Sequence, residues 1–221
     1  MLSTPILLDY QSSTPCSKDV VDSMKPFWRE IFSNPSSKSN LGSINASAIL
    51  EASREQIEQN LFLRNKKIIF TSGATESNNL ALLGYARSYF KKTGNFGHII
   101  TLKTEHKAVL EPLNKLKDEG FMVTEIAPGR DGLISEENFK NSIRDDTFMA
   151  SIMLANNEIG VIQPVENISN ICKSRGITFH SDFAQCLGYI ELDNLLSDVN
   201  MITMSSHKIY GPKGIGLLLI D

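Results

Sequence analysis

Short apolar runs along this chain alternate with longer segments whose apolar residues recur at helical spacing. After an extended start at residues 6–8, Val20, Val21, Met24, Phe27, Trp28, Ile31 and Phe32 follow a helical period that Pro26 is predicted to kink or interrupt. A polar loop covers residues 33–43. A second helical pattern over residues 45–63 runs to the strand-like Lys67–Thr71, and Ser72-Gly73-Ala74 then lead into a helix ending near Gly94. Further strands are predicted at His98–Leu102, Met122–Ile126, 148–154, 177–180, 201–204 and 215–220. Helices are predicted at about 106–119, from Ser135 onward, and at 164–175, the last with Pro at its start and Gly176 just past its end.

Seven strands with helices between most of them predict an α/β fold: a seven-stranded, mostly parallel sheet with helices on both faces. Ligands of such sheets gather at the carboxyl ends of the strands. The polar residues of interest fall there: Ser72 to Thr75, His106, Asn156-Asn157-Glu158, Asp182, and Ser205 to Lys208. No internal repeat, low-complexity tract or linker interrupts the pattern.

Composition narrows the class of function. With 22 Lys and Arg against 25 Asp and Glu the net charge is -3, and no basic patch is clustered, which argues against nucleic acid or an anionic membrane as partner. The longest apolar runs, 148–155 and 215–220, are far too short to span a bilayer. The first lysine comes only at Lys18, after Asp9, which argues against a signal peptide. Cys16, Cys172 and Cys186 form neither an even, closely spaced set nor a C-x-x-C pair, so a disulfide scaffold and a structural zinc site are not expected. The chain reads as intracellular.

Two stretches carry candidate chemistry. Thr71 to Ser77 is a run of small residues opening a helix, whose free N–H groups and positive dipole end suit a phosphate, though an ordinary N-cap has the same composition. Lys208, flanked by Ser205, Ser206, His207 and a Gly-Pro loop, has the surroundings of a desolvated amine that attacks an aldehyde, or of a plain solvated lysine. Asp182 favours the first, since a carboxylate on the neighbouring strand end can pair with a pyridinium nitrogen. His180 with Asp182 and His207 could suggest metal ligands, but no metal is expected, because the ordered motifs already explain those groups. Trp28, Phe27 and Phe32 share one helical stripe and are expected in the core or against a partner.

Further stretches occur in order: Leu8-Asp9-Tyr10, Asn34-Pro35-Ser36-Ser37, residues 70–78, Thr104 to Val109, Asn156 to Gly160, His180-Ser181-Asp182 with Gln185, and Ser206 to Gly214. On these the chain resembles the cysteine desulfurases of the class V aminotransferase group, pyridoxal-phosphate (PLP) enzymes of fold type I. The resemblance implies that Lys208 and His106 are catalytic, Lys208 carrying the cofactor and His106 stacking on its ring. It implies that Asp182 holds the pyridinium nitrogen and Gln185 the phenolic oxygen. Ala74, Thr75, Ser205 and His207 would hold the phosphate, and Asn157 would sit near the cofactor oxygen and the substrate. The implied reaction takes sulfur from L-cysteine, giving L-alanine and an enzyme persulfide for iron-sulfur cluster or thiolated cofactor synthesis. A sulfur-acceptor or scaffold partner, a homodimer and a cytoplasmic location come with it.

Members of that family are nearly twice as long. Residues 1–221 would be the large domain, with 1–15 packing on a small domain. The remaining part would bear the nucleophilic cysteine, the arginine for the substrate carboxylate, and a threonine lent to the neighbouring subunit's phosphate site. Asn40 stands where the family usually has histidine, and Phe183 where it has a small residue. Other readings are a different class V lyase or aminotransferase, and a non-catalytic PLP-binding module.

Overall fold

The computed structural model describes residues 5–63, 65–192 and 195–221. Its strands are β1 (Lys67–Thr71), β2 (His98–Leu102), β3 (Met122–Ile126), β4 (Thr147–Ser151), β5 (Thr178–Asp182), β6 (Met201–Ser205) and β7 (Gly216–Ile220). They form one sheet in the order β1-β7-β6-β5-β4-β2-β3. The ladders from β6 through β5, β4 and β2 to β3 are parallel, because a longer connection, in most cases containing a helix, returns the chain between them. β7 follows β6 after only a short turn and pairs antiparallel with both β6 and β1. Strands β2, β4 and β6 are buried at every residue, as expected of strands covered on both faces.

The helices are α1 (Lys18–Met24), α2 (Pro26–Arg29), α3 (Leu41–Asn60), α4 (Ala74–Thr93), α5 (Lys107–Glu119), α6 (Glu136–Ser142), α7 (Val165–Arg175) and α8 (Leu195–Asp198). On one face of the sheet Leu82 of α4 and Val109 and Leu113 of α5 pack on Ile99 and Met149. On the other, Phe139 of α6 and Ile168 and Cys172 of α7 join Ile100, Leu102, Phe179 and Ile202. The α/β sheet with both faces covered is thus the architecture of the chain. No helix among the described residues is long and apolar enough to cross a membrane.

Several boundaries differ from the sequence reading. The helix expected from residue 45 starts at Leu41, because the Asn40 side chain accepts a hydrogen bond from Ser43 N at 2.9 Å and caps it. Asn40 therefore has a local structural task. Pro26 does interrupt the first helical segment and opens α2 at its first position, where its missing N–H is not needed. β4 ends at Ser151 rather than 154, and β5 and β6 run on to include Asp182 and Ser205. Trp28 and Phe32 are 75% and 76% exposed and Phe27 44%, so of the two places expected for this stripe, the core or a partner, it does not occupy the core but lies on the surface of this chain. Helical spacing identifies an apolar face but not what covers it. α8 and a 3-10 turn at Ser206–Lys208 are too short to show a period.

His180 sits fully buried in β5, its Nδ1 2.8 Å from Ser151 Oγ and its Nε2 3.2 Å from Thr203 Oγ1. It is a structural histidine between two strands. Burial pushes its pKa down to about 3 from 6.5, so as pH falls below 6.5 the unfolded chain takes up a proton that the fold refuses. Stability is then lost with falling pH by about 1.4 kcal/mol per unit for this one site. In urea titrations, His180→Asn is expected to lose about 2 kcal/mol less than wild type between pH 6.5 and 5. Parallel slopes would show that another group sets the acid limb.

Candidate active site

The carboxyl ends of β4, β5 and β6 and the first turn of α4 surround a cleft of about 590 Å³. Its floor is Asp182, the last residue of β5 and 5% exposed. The Asp182 carboxylate accepts a hydrogen bond from Asn78 Nδ2 at 2.7 Å through Oδ2 and from Ala184 N at 2.9 Å through Oδ1. Burial raises its pKa, while these two donors, His106 and Lys208 oppose the rise. Lys208 closes the 3-10 turn after β6, half-buried, and its Nζ donates to the Gln11 carbonyl at 2.6 Å. Burial lowers the Lys208 pKa, with Asp182 and Asp9 acting the other way. That is the direction that favours a nucleophilic amine.

The wall opposite is the start of α4. Its N-cap, Gly73, has φ +150°, a conformation open essentially to glycine alone, and a Cβ built there would meet nothing within 4 Å. No side chain caps this 20-residue helix, so its first N–H groups, at Ala74 and Thr75, face the cleft with the positive dipole end behind them. Glu76 turns its carboxylate back to Ser72, accepting from its N–H at 2.6 Å, and the Ser72 side chain together with that N–H lowers its pKa. His106 caps α5, its Nδ1 accepting from Ala108 N at 3.1 Å, and its ring lines the cleft.

Asn157, Gln185 and His207 line the same cleft. Asn156 frees Asn157 to do so by anchoring the loop itself: it donates to Thr104 O at 2.8 Å and accepts from Glu158 N and Ile159 N. Ser205, the residue three before Lys208, does not line the cleft; it is buried, and its hydroxyl has no partner among the described residues. Phe183 points into the core and is fully buried, so its ring leaves the cleft clear. Among the described residues, no three His, Cys, Asp or Glu side chains are grouped to hold a metal.

Two features escape sequence reading. Residues 11–17 form a strap across the lysine turn: Thr14 N donates to His207 O at 2.8 Å, Tyr210 N to Thr14 Oγ1 at 2.7 Å, and Ser17 N to Tyr210 O at 2.8 Å. The Gln11 carbonyl that holds Lys208 also accepts from Gln185 Nε2 at 3.0 Å. Contacts nearly two hundred residues apart in sequence leave no local signal. Asn78 is the second; its place in the run 70–78 was visible, but its reach to Asp182 was not.

The residues suit PLP. An uncapped helix start beside a glycine that clears space, a buried carboxylate, and an amine of lowered pKa are the donor set a phosphorylated pyridine aldehyde requires. Among the described residues, four buried side-chain atoms lack partners, Ser205 Oγ, Asn78 Oδ1, Thr104 Oγ1 and Glu105 Oε2; none of these residues lines the cleft, but Asn78 bonds Asp182 on its floor, and Thr104 and Glu105 immediately precede His106.

Comparison with known proteins agrees with this geometry. The chain is 45% identical over 219 residues to the cysteine desulfurase IscS of Ehrlichia chaffeensis, covering 99% of this chain and 52% of that one. It is 46% identical over 216 residues to the mitochondrial cysteine desulfurase of Eremothecium gossypii, covering 98% and 44%. A solved structure of SspA in complex with cysteine superposes with a TM-score of 0.90 at 39% identity, covering 98% of this chain and 61% of that one. The chain spans about half the length of the curated relatives it matches. The model of the class-V aminotransferase family matches residues 6–221, and the chain belongs to that family.

Proposed function

We propose that this chain forms the PLP-binding part of a cysteine desulfurase, acting on L-cysteine to give L-alanine and a persulfide for iron-sulfur cluster or thiolated cofactor synthesis. The observation that carries this reading is the meeting of Lys208, Asp182 and the uncapped start of α4 in one cleft. A cysteine-bound structural relative favours it over another class V lyase or a non-catalytic module. Homodimerisation, a sulfur-acceptor partner and a cytoplasmic location belong to the same proposal.

PLP, when bound, supplies an electron sink next to the substrate amine. Lys208 would carry it, and Nζ, released from the Gln11 carbonyl, is placed to take or return a proton at the floor of the cleft. Asp182 would hold the ring nitrogen charged, and His106 would cover one ring face. Gln185 would donate to the phenolic oxygen, with Asn157 beside it. Ala74, Thr75 and His207 would bind the phosphate, with Ser205 completing the set by turning its hydroxyl outward.

Reconstitution with PLP followed by borohydride reduction and peptide mapping tests the assignment. The label is expected on Lys208 and absent from Lys208→Ala. A label on Lys213 or any other lysine overturns it.

A further inference from the structure

Asn78 is fully buried in the first turns of α4, the helix whose start faces the cleft. Its side chain donates to Asp182 Oδ2, and Asn78 Oδ1 has no partner among the described residues. Burying an amide with one end unsatisfied is unfavourable, and such a residue calls for a reason. The donor end gives it. Asn78 Nδ2 and the Ala184 N–H each donate to one oxygen of Asp182, and donors on both oxygens favour the ionised carboxylate, because protonation would make one of them a hydroxyl and a weaker acceptor.

Burial acts against a charge at Asp182, and the Asp182 carboxylate together with burial raises the pKa of the nearby buried Glu105. Among the described residues, Glu105 takes one donor, Met153 N at 2.7 Å, on Oε1. Against the burial of Asp182 stand the positive Lys208 and the imidazole of His106, while the Cys186 thiol, buried beside Asp182, is pushed up and stays neutral. Among the described residues, the side chain that hydrogen-bonds the Asp182 carboxylate is that of Asn78. It also ties the β5 floor to the helix that forms the opposite wall, so the spacing between the two walls is fixed at one bond.

We infer that Asn78 is a positioning residue: it holds Asp182 ionised and fixes it at a set distance from the start of α4, so that the chain selects a ring carrying a protonated nitrogen. The inference rests on the PLP reading for the identity of that ring. A hydrogen bond to a charged group contributes enough to change affinity about tenfold or more.

The test compares PLP with its 1-deaza analogue, in which CH replaces the ring nitrogen, by equilibrium dialysis against wild type, Asn78→Ala and the isosteric Asn78→Asp. Both variants are expected to bind PLP about tenfold more weakly or worse, and the analogue as wild type does. Asn78→Asp keeps the packing volume, so it serves if Asn78→Ala does not fold. Equal losses for both compounds, or no loss for either, overturn the inference. If wild type binds neither compound, the PLP reading fails. The Asp182 carboxyl followed by carbon NMR in the ligand-free protein then decides: a titration moved upward in the variants upholds the Asn78 role, and an unmoved one ends it.

Discussion

Gly216→Ala is expected to destabilise the protein by about 2–3 kcal/mol, the upper part of the range for overpacking a close contact. It should weaken PLP retention as well. Gly216 opens β7, opposite Thr71 of β1 and Ser205 of β6. A Cβ there would lie 2.7 Å from Gly73 Cα and C and 2.8 Å from Met204 O. All three are backbone atoms, so no side chain can swing aside. Relief must come from moving the turn before α4, which is the cleft wall that offers its N–H groups. Gly84→Ala is the matching control: it lies on the exposed side of α4 with only the Leu80 Cδ1 methyl at 3.9 Å, and it should stabilise the chain by about 0.4–1 kcal/mol. Urea denaturation of the two variants reads the stability arm, and absorbance retained after gel filtration reads the cofactor arm. A Gly216→Ala protein as stable as wild type would mean that β7 can slide away from Gly73 without loss.

A polypeptide of these 221 residues, supplied with PLP, cysteine and a reductant, is expected to release sulfide no faster than free PLP and no faster than its Lys208→Ala variant. Sulfur transfer needs a thiolate within about 3–3.5 Å of the substrate sulfur. Cys172 faces the core from α7, and burial pushes its thiol up to about 12. Cys186 is fully buried below Asp182, and its thiol is raised further by burial and by that carboxylate. Both are held as inert thiols. Cys16 lines a separate apolar groove with Pro15, Val21, Trp28 and Pro212, outside the cleft. On the proposed reading the chain would hold and polarise a substrate without offering it a sulfur acceptor. Sulfide and alanine formation that depends on Lys208 would refute this and would point to a rearrangement that brings one of the three thiols to the cleft.

Much of this site was legible because its residues are local to strand ends. In a parallel sheet each helical connection returns the chain to the same edge, so Ser72 to Thr75, His106, Asn157, Asp182 and Lys208 had to converge once the strand pattern was read. The caps were equally local: Gly94, Gly120 and Gly176 each end a helix in the left-handed conformation that glycine adopts without strain. The antiparallel fit of β7 beside β1 has no local signal, since nothing in an apolar run such as Leu217 to Ile220 states which edge it joins.

Tertiary structure alone decided the rest. His180 and Asp182 lie two residues apart on one strand and so point the same way, yet one becomes a neutral core histidine between hydroxyls and the other a donor-held carboxylate. What differs is the neighbour each meets, Thr203 and Ser151 in one case and Asn78 in the other. The strap from Gln11 to Ser17 and the exposure of Trp28 follow the same logic. The sequence by itself determined which residues reach the carboxyl edge, because backbone periodicity and helix length are local. Which side chains hold Asp182 and Lys208 in place was settled only by packing, since hydrogen bonds between residues far apart in the chain depend on distances that no local pattern encodes.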